Sequence, residues 1–169
     1  MCIRDSHNEA IRLNPMYVRA YLSRSVTRFL NASFDAAGSD FSEAIRLDAK
    51  NAHANIWRYL SRARGGDMNL AKEELLTGAT SLDKGKWPAP VIEVLLGHLN
   101  PGALLTTAKS KDSKTGRDQV CEAHFYLGEF YLLAGQSSAS ANLADAARDC
   151  PKNSYEYFAA EAELKRLPR

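Results

Sequence analysis

Two pairs of side chains in this 169-residue chain have types and spacings suited to chemistry. Arg24 and Asp40 are separated by the same interval as Arg58 and Glu74, so the second pair is a displaced copy of the first. Where a turn folds the two segments together, guanidinium and carboxylate can form a charge-assisted hydrogen bond. The favoured reading is structural, with each arginine crossing between two antiparallel helices. An anionic ligand held by the arginines is the alternative.

Cys121 and Cys150 are the second constellation. The start of one helix and the end of its antiparallel partner lie at the same end of a hairpin, so these thiols come within reach of one another. They either form a disulfide, which belongs to an oxidising compartment, or remain as two free buried thiols in a reducing one. Cys2 lies outside this unit and is expected to have no partner. The four histidines, His7, His53, His98 and His124, show no i, i+4 pair and no HExxH pattern, so no metal site is expected. No GxSxG elbow and no glycine-rich strand-to-helix loop is present, and the adjacent carboxylates Glu73 and Glu74 point in different directions on a helix. A non-catalytic protein with no cofactor is the expectation.

Hydrophobic residues make up 45% of the chain, enough to build a continuous core. A net charge of +2 with 25% charged residues gives no general bias toward nucleic acid or a membrane surface. No apolar run approaches the roughly 20 residues that span a bilayer.

The elements that must position these groups follow a period. EAIRLNP (Glu9 to Pro15) recurs as EAIRLDA (Glu43 to Ala49), displaced by the same interval that separates the two arginine–carboxylate pairs. Between them, Ala20, Tyr21 and Ser25 in one segment face Ala37, Phe41 and Ala44 in the next, a small-and-large alternation that lets two helices approach closely. Helices are predicted over 2–13, 18–31, 34–47, 52–64 and 68–81. Asn51 and Asp67 open two of them, and Leu70, Ala71, Leu75, Leu76 and Ala79 form the inner face of the last. VIEVLLGHL (Val91 to Leu99) is apolar nearly all round and reads as a buried helix, and Asn100-Pro101 opens a short one to about Lys109. The polar stretch Ser110 to Asp118 is expected to be an exposed loop. The pattern resumes in CEAHFYLGEFYLLAG, with a partner helix over 138–149. Asn153 and Glu156 form a capping box for the closing helix.

A 34-residue helical-hairpin period resembles the tetratricopeptide repeat (TPR). The implied fold is all-α: a TPR-type α-solenoid, a right-handed superhelix of helical hairpins with an inserted helical pair and a C-terminal capping helix. It reads as a single domain over 1–169, made of a half repeat (1–15), a repeat (18–49), a degenerate repeat (52–83), bridging helices and a loop (84–118), a repeat (119–151) and a cap (153–167). The register begins in mid-repeat, so the N-terminus is expected to be truncated, and MCIRDS carries no repeat signature. In arrays of this type certain first-helix positions line a groove. Here they include Arg19, Leu22, Val26, Phe29, His53, Ile56, Leu60, Phe125, Glu129 and Leu132, a lining suited to a protein or peptide with apolar anchors. Each residue has packing against neighbouring helices as its alternative role.

NIWRYLSRAR, WPAPVIEVLLGHLNPGALL, CEAHFYLGEFYLLAGQ and PKNSYEYFAAEAELKRL together resemble the TPR lipoproteins of the new lipoprotein I type from Gram-negative bacteria. The resemblance covers about Asn51 to Leu167. It implies an envelope adaptor that docks proteases and peptidoglycan hydrolases, located in the periplasm or at the outer membrane and held there through an N-terminal anchor not visible in this chain. A cytoplasmic location, and a TPR fragment of a larger enzyme or regulator, are the alternatives.

Overall fold

The computed structural model describes residues 3–108 and 113–168. Ten helices and no strand occur among them, so the chain is all-α: α1 (Ile3–Leu13), α2 (Val18–Leu30), α3 (Phe34–Leu47), α4 (Ala52–Arg64), α5 (Met68–Ala79), α6 (Ala89–Leu95), α7 (Pro101–Thr107), α8 (Ser113–Leu133), α9 (Ser138–Asp149) and α10 (Tyr155–Arg166). They gather into two compact units, Met1–Asp83 and Lys84–Arg169, where the sequence reads as one domain. The boundary falls between the degenerate repeat and the turn-rich segment that follows it.

In the first unit each helix packs against the next, from α1 through α5. Local signals set the starts of the helices. The Asn51 side chain accepts the Ala54 N–H at 2.9 Å and Asp67 accepts that of Leu70 at 2.9 Å, each satisfying one of the donors a helix start leaves open. The core is aromatic. The Phe29 ring lies 5.2 Å from Phe34 and 5.1 Å from Trp57, both edge-on, and Phe41 stacks on Trp57 at 6.1 Å. Ala37, Ala44, Ala54 and Ala71 are buried between these larger groups, where small side chains let the helices close up. Of the inner face predicted for α5, Ala71 and Leu75 are buried but Leu76 is 56% exposed. Residues 71 and 75 share a face, and Leu76, one position on, is rotated off it.

The ends of α2 and α4 close in the same way. Ala32 N–H bonds Phe29 C=O at 2.9 Å and Ser33 N–H bonds Arg28 C=O at 2.9 Å, while at the matching positions of α4 Gly66 and Asp67 repeat both bonds at 3.1 and 3.0 Å. This is the Schellman closure, which needs a left-handed residue. Gly66 adopts φ +97° without penalty, whereas Ala32 adopts φ +57° against the steric cost of its Cβ.

In the second unit α8 packs against α9 and α10, and the short helices α6 and α7 pack against each other and against α8. The buried helix predicted for Val91 to Leu99 runs instead over Ala89–Leu95. Gly97, at φ +81°, stops it, with His98 N–H turning back to Glu93 C=O at 2.8 Å. Ser113 to Asp118 form the first turns of α8 rather than a loop, because adding residues to an established helix costs far less than nucleating one. The remainder of that loop lies outside the described residues. The closing helix is capped by Ser154, whose hydroxyl accepts the Tyr157 N–H at 3.1 Å, and not by Asn153. Glu156 is drawn inward instead and accepts a hydrogen bond from Tyr126 Oη at 3.4 Å.

Candidate functional site

Charge holds the two hairpins of the first unit. In α2 and α3, Arg24 grips Asp40 with Nε–Oδ2 at 2.8 Å and Nη2–Oδ1 at 2.7 Å, while its Nη1 donates to Asn8 Oδ1 at 2.8 Å. Arg28, one turn along, adds Nη1–Oδ2 at 2.8 Å and also donates to Ala36 C=O at 3.1 Å. Asp40 is 3% exposed and thus sits buried between two guanidinium groups. The Tyr21 ring supports Arg24 at 5.8 Å from its centroid. Asp40 raises the pKa of Arg24, chiefly through their hydrogen bond, so the pair stabilises the arginine's charged form.

The hairpin of α4 and α5 uses the same positions differently. Arg58 Nη2 donates to the Glu74 backbone C=O at 2.8 Å, and Nε stands 3.4 Å from Glu74 Oε2 without hydrogen-bond geometry. Arg62 approaches that same Oε2 with its Nε at 3.2 Å. Burial outweighs the attraction of Glu74 and lowers the pKa of Arg58. The sequence pattern does not single out Arg28 and Arg62 as Arg24 and Arg58 are singled out. One full repeat period separates them, and that spacing is the available signal.

In the third hairpin, of α8 and α9, Leu127 and Asn142 occupy the corresponding positions, and a disulfide joins Cys121 to Cys150 with Cα atoms 5.0 Å apart. Both cysteines are buried. A Cβ on Gly128 would stand 2.7 Å from Leu143 Cγ, so the missing side chain is what allows the two helices to approach.

The residues predicted to line a groove divide into two sets. Val26, Phe29, Ile56, Leu60, Phe125 and Glu129 are buried, which corrects their assignment to an open binding face: they are core. Phe29 is enclosed by Phe34 and Trp57, and Phe125 packs beside Tyr126 at 5.3 Å. Arg19 is exposed, and Leu22, His53 and Leu132 are half-buried, so these four remain open to a partner. Repeat position tells which way a residue faces relative to its own hairpin, but not whether a neighbouring helix covers it.

Among the described residues, no three His, Cys, Asp or Glu side chains are grouped to hold a metal ion, and no helix is long and apolar enough to cross a membrane. No protein-family model matches the chain.

Proposed function

We propose that this chain is a non-catalytic protein-binding scaffold of the TPR type, an α-solenoid in which helical hairpins present accessible first-helix residues to protein or peptide partners. One observation carries the reading. The arginine pair and its opposing carboxylate recur with the repeat period, as Arg24, Arg28 and Asp40 and again as Arg58, Arg62 and Glu74, and each set links the two helices of its own hairpin. A unit repeated together with its internal bonding is how a solenoid is built.

The resemblance to envelope lipoproteins supports an adaptor that recruits proteases or peptidoglycan hydrolases. The Cys121–Cys150 disulfide favours the oxidising periplasm over the cytoplasm. The experiment is an affinity pull-down from envelope extracts, comparing the intact chain with Leu22→Asp and Leu132→Asp. These residues are half-buried, so charge placed on them is expected to remove captured proteins while the helical circular dichroism stays unchanged. Capture by both variants undiminished from that of the intact chain would refute the assignment of this surface.

A further inference from the structure

The turn between α1 and α2 holds three large apolar side chains out in solvent: Leu13 is 69% exposed, Met16 66% and Tyr17 44%. Its backbone is fixed. Tyr17 N–H bonds Asn14 C=O at 3.1 Å, and Met16 N–H bonds Asn14 Oδ1 at 3.0 Å. One repeat period later the chain builds the same turn between α3 and α4, with Asn51 N–H on Asp48 C=O at 3.2 Å and Lys50 N–H on Asp48 Oδ1 at 3.2 Å. There the matching positions are polar: Lys50 stands where Met16 does, and Asn51, where Tyr17 does, caps α4.

The comparison separates what the turn needs from what it carries. The same backbone accepts lysine and asparagine, so folding does not require Met16 and Tyr17. Tyr17 occupies the N-cap of α2 but gives no side-chain cap bond, so the chain forgoes a stabilising contact that Asn51 makes at the matching place. Apolar side chains gathered at one exposed place mark a contact surface, as singly scattered ones do not. Tyrosine, methionine and arginine are also the residues enriched in protein interfaces, while lysine is depleted there.

Charge says what fits. Glu9 and Arg12 bond each other at 2.6 and 2.8 Å and so cancel. Arg19, two residues beyond Tyr17, is exposed and makes no hydrogen bond or ion pair among the described residues. Leu22, one helical turn further on the same face, is half-buried and continues the patch toward the accessible first-helix residues. A second copy meeting this patch about a two-fold axis would bring like charges together at Arg19. A lipid surface recruits clusters of basic residues, and here one unpaired cation adjoins the patch.

We propose that the α1–α2 turn is a docking surface for an acidic, apolar peptide segment of a partner protein, with apolar side chains on Leu13, Met16 and Tyr17 and a carboxylate on Arg19. The inference rests on the scaffold reading and adds where the partner sits and which charge it carries.

Selection of a random-sequence peptide display library on the full chain tests it, with the enriched peptides synthesised and titrated by fluorescence anisotropy. Enriched peptides are expected to combine large apolar residues with Asp or Glu. The double variant Met16→Lys, Tyr17→Asn copies the turn that the chain already builds at Lys50 and Asn51, so it should melt no lower than the parent. It should weaken the peptides by about 30-fold or more, the size of a hot-spot loss. Arg19→Glu, at an exposed position, should weaken them by about fivefold or more and, on reselection, turn the preference from acidic to basic peptides. Leu22→Asp separates this inference from the scaffold reading: binding lost there but undiminished in the double variant refutes the turn and leaves the scaffold, and binding undiminished in both refutes both. The proposal is also overturned if no peptide is enriched, if the enriched peptides lack an acidic residue, or if the double variant instead abolishes self-association in sedimentation or retention on phosphatidylglycerol vesicles while peptide binding stays unchanged.

Discussion

In the hairpin of α2 and α3, Arg24 meets Asp40 through two short hydrogen bonds, Arg28 adds a third contact, and the Tyr21 ring backs the guanidinium. In the hairpin of α4 and α5, one period later, Arg58 reaches the Glu74 backbone and leaves its Nε without an acceptor, while Asn55 replaces the ring. The same charges at the same repeat positions are satisfied in one case and not in the other. The two settings differ in their neighbours, Tyr21 with Ala44 against Asn55 with Gly78, and in the carboxylate itself, Asp40 against the longer Glu74. Charge complementarity along the sequence selects which residues pair, but not whether the geometry closes. In the hairpin of α8 and α9, where the charges are replaced by Leu127 and Asn142, a disulfide makes the crosslink between the helices.

The largest test removes that covalent crosslink. Cys150→Ser is expected to cost about 3–4 kcal/mol in the chain-entropy account of a loop of this length, read as the fall in the denaturant midpoint of the second unit relative to the oxidised parent chain. A variant midpoint equal to that of the oxidised parent would mean that the α8–α9 hairpin needs no crosslink beyond its packing. Next comes the contrast between the charged hairpins. Asp40→Ala leaves two guanidinium groups without their shared carboxylate in a nearly closed site, and about 2–3 kcal/mol of lost stability is expected, below the range for a fully buried pair because the arginines retain some exposure. Glu74→Ala removes a weaker contact and should cost about 1 kcal/mol. Equal losses in urea denaturation would break the comparison.

A smaller effect follows from the helix ends. Ala32 holds a left-handed conformation that Gly66 adopts at the matching position, so Ala32→Gly should stabilise the first unit by about 0.5–1 kcal/mol, the steric relief exceeding the added freedom of the unfolded glycine. A lower melting temperature in this variant would rule the account out. The smallest effect is alkaline. Burial raises the pKa of the Tyr59 phenol above its ordinary value near 10. The neutral form is thus favoured in the fold, and its contribution is present below that ordinary value and lost as the pH rises through it toward the folded-state pKa. Tyr59→Phe should flatten this alkaline limb in the pH dependence of stability, while leaving the acid limb untouched.

Much of the frame is legible in the residues alone. Asn51, Asp67 and Asn100 announce helix starts because an N-cap acts on the first turn that follows it, and the Arg24–Asp40 and Cys121–Cys150 approaches follow from the geometry of an antiparallel pair. The candidate surface is legible only in part. Arg19, Leu22, His53 and Leu132 are accessible, but Phe29 and Phe125 are core, since helical periodicity gives the direction of a side chain and not what lies across from it. Arg28 and Arg62 obey the period but stand one turn beyond the pairs that draw attention, and only packing brings them onto the same carboxylates.

By itself, then, the sequence determined the helices, the repeat period and the partners that a hairpin turn brings together, because each depends on groups close in sequence or related by one turn of chain. The tertiary structure alone decided which apolar residues stay open, and that Asp40 is fully gripped while Arg58 is not. Those outcomes depend on a third element meeting the pair, and whether a ring, an amide or empty space fills the remaining volume is settled only when all the neighbours are in place.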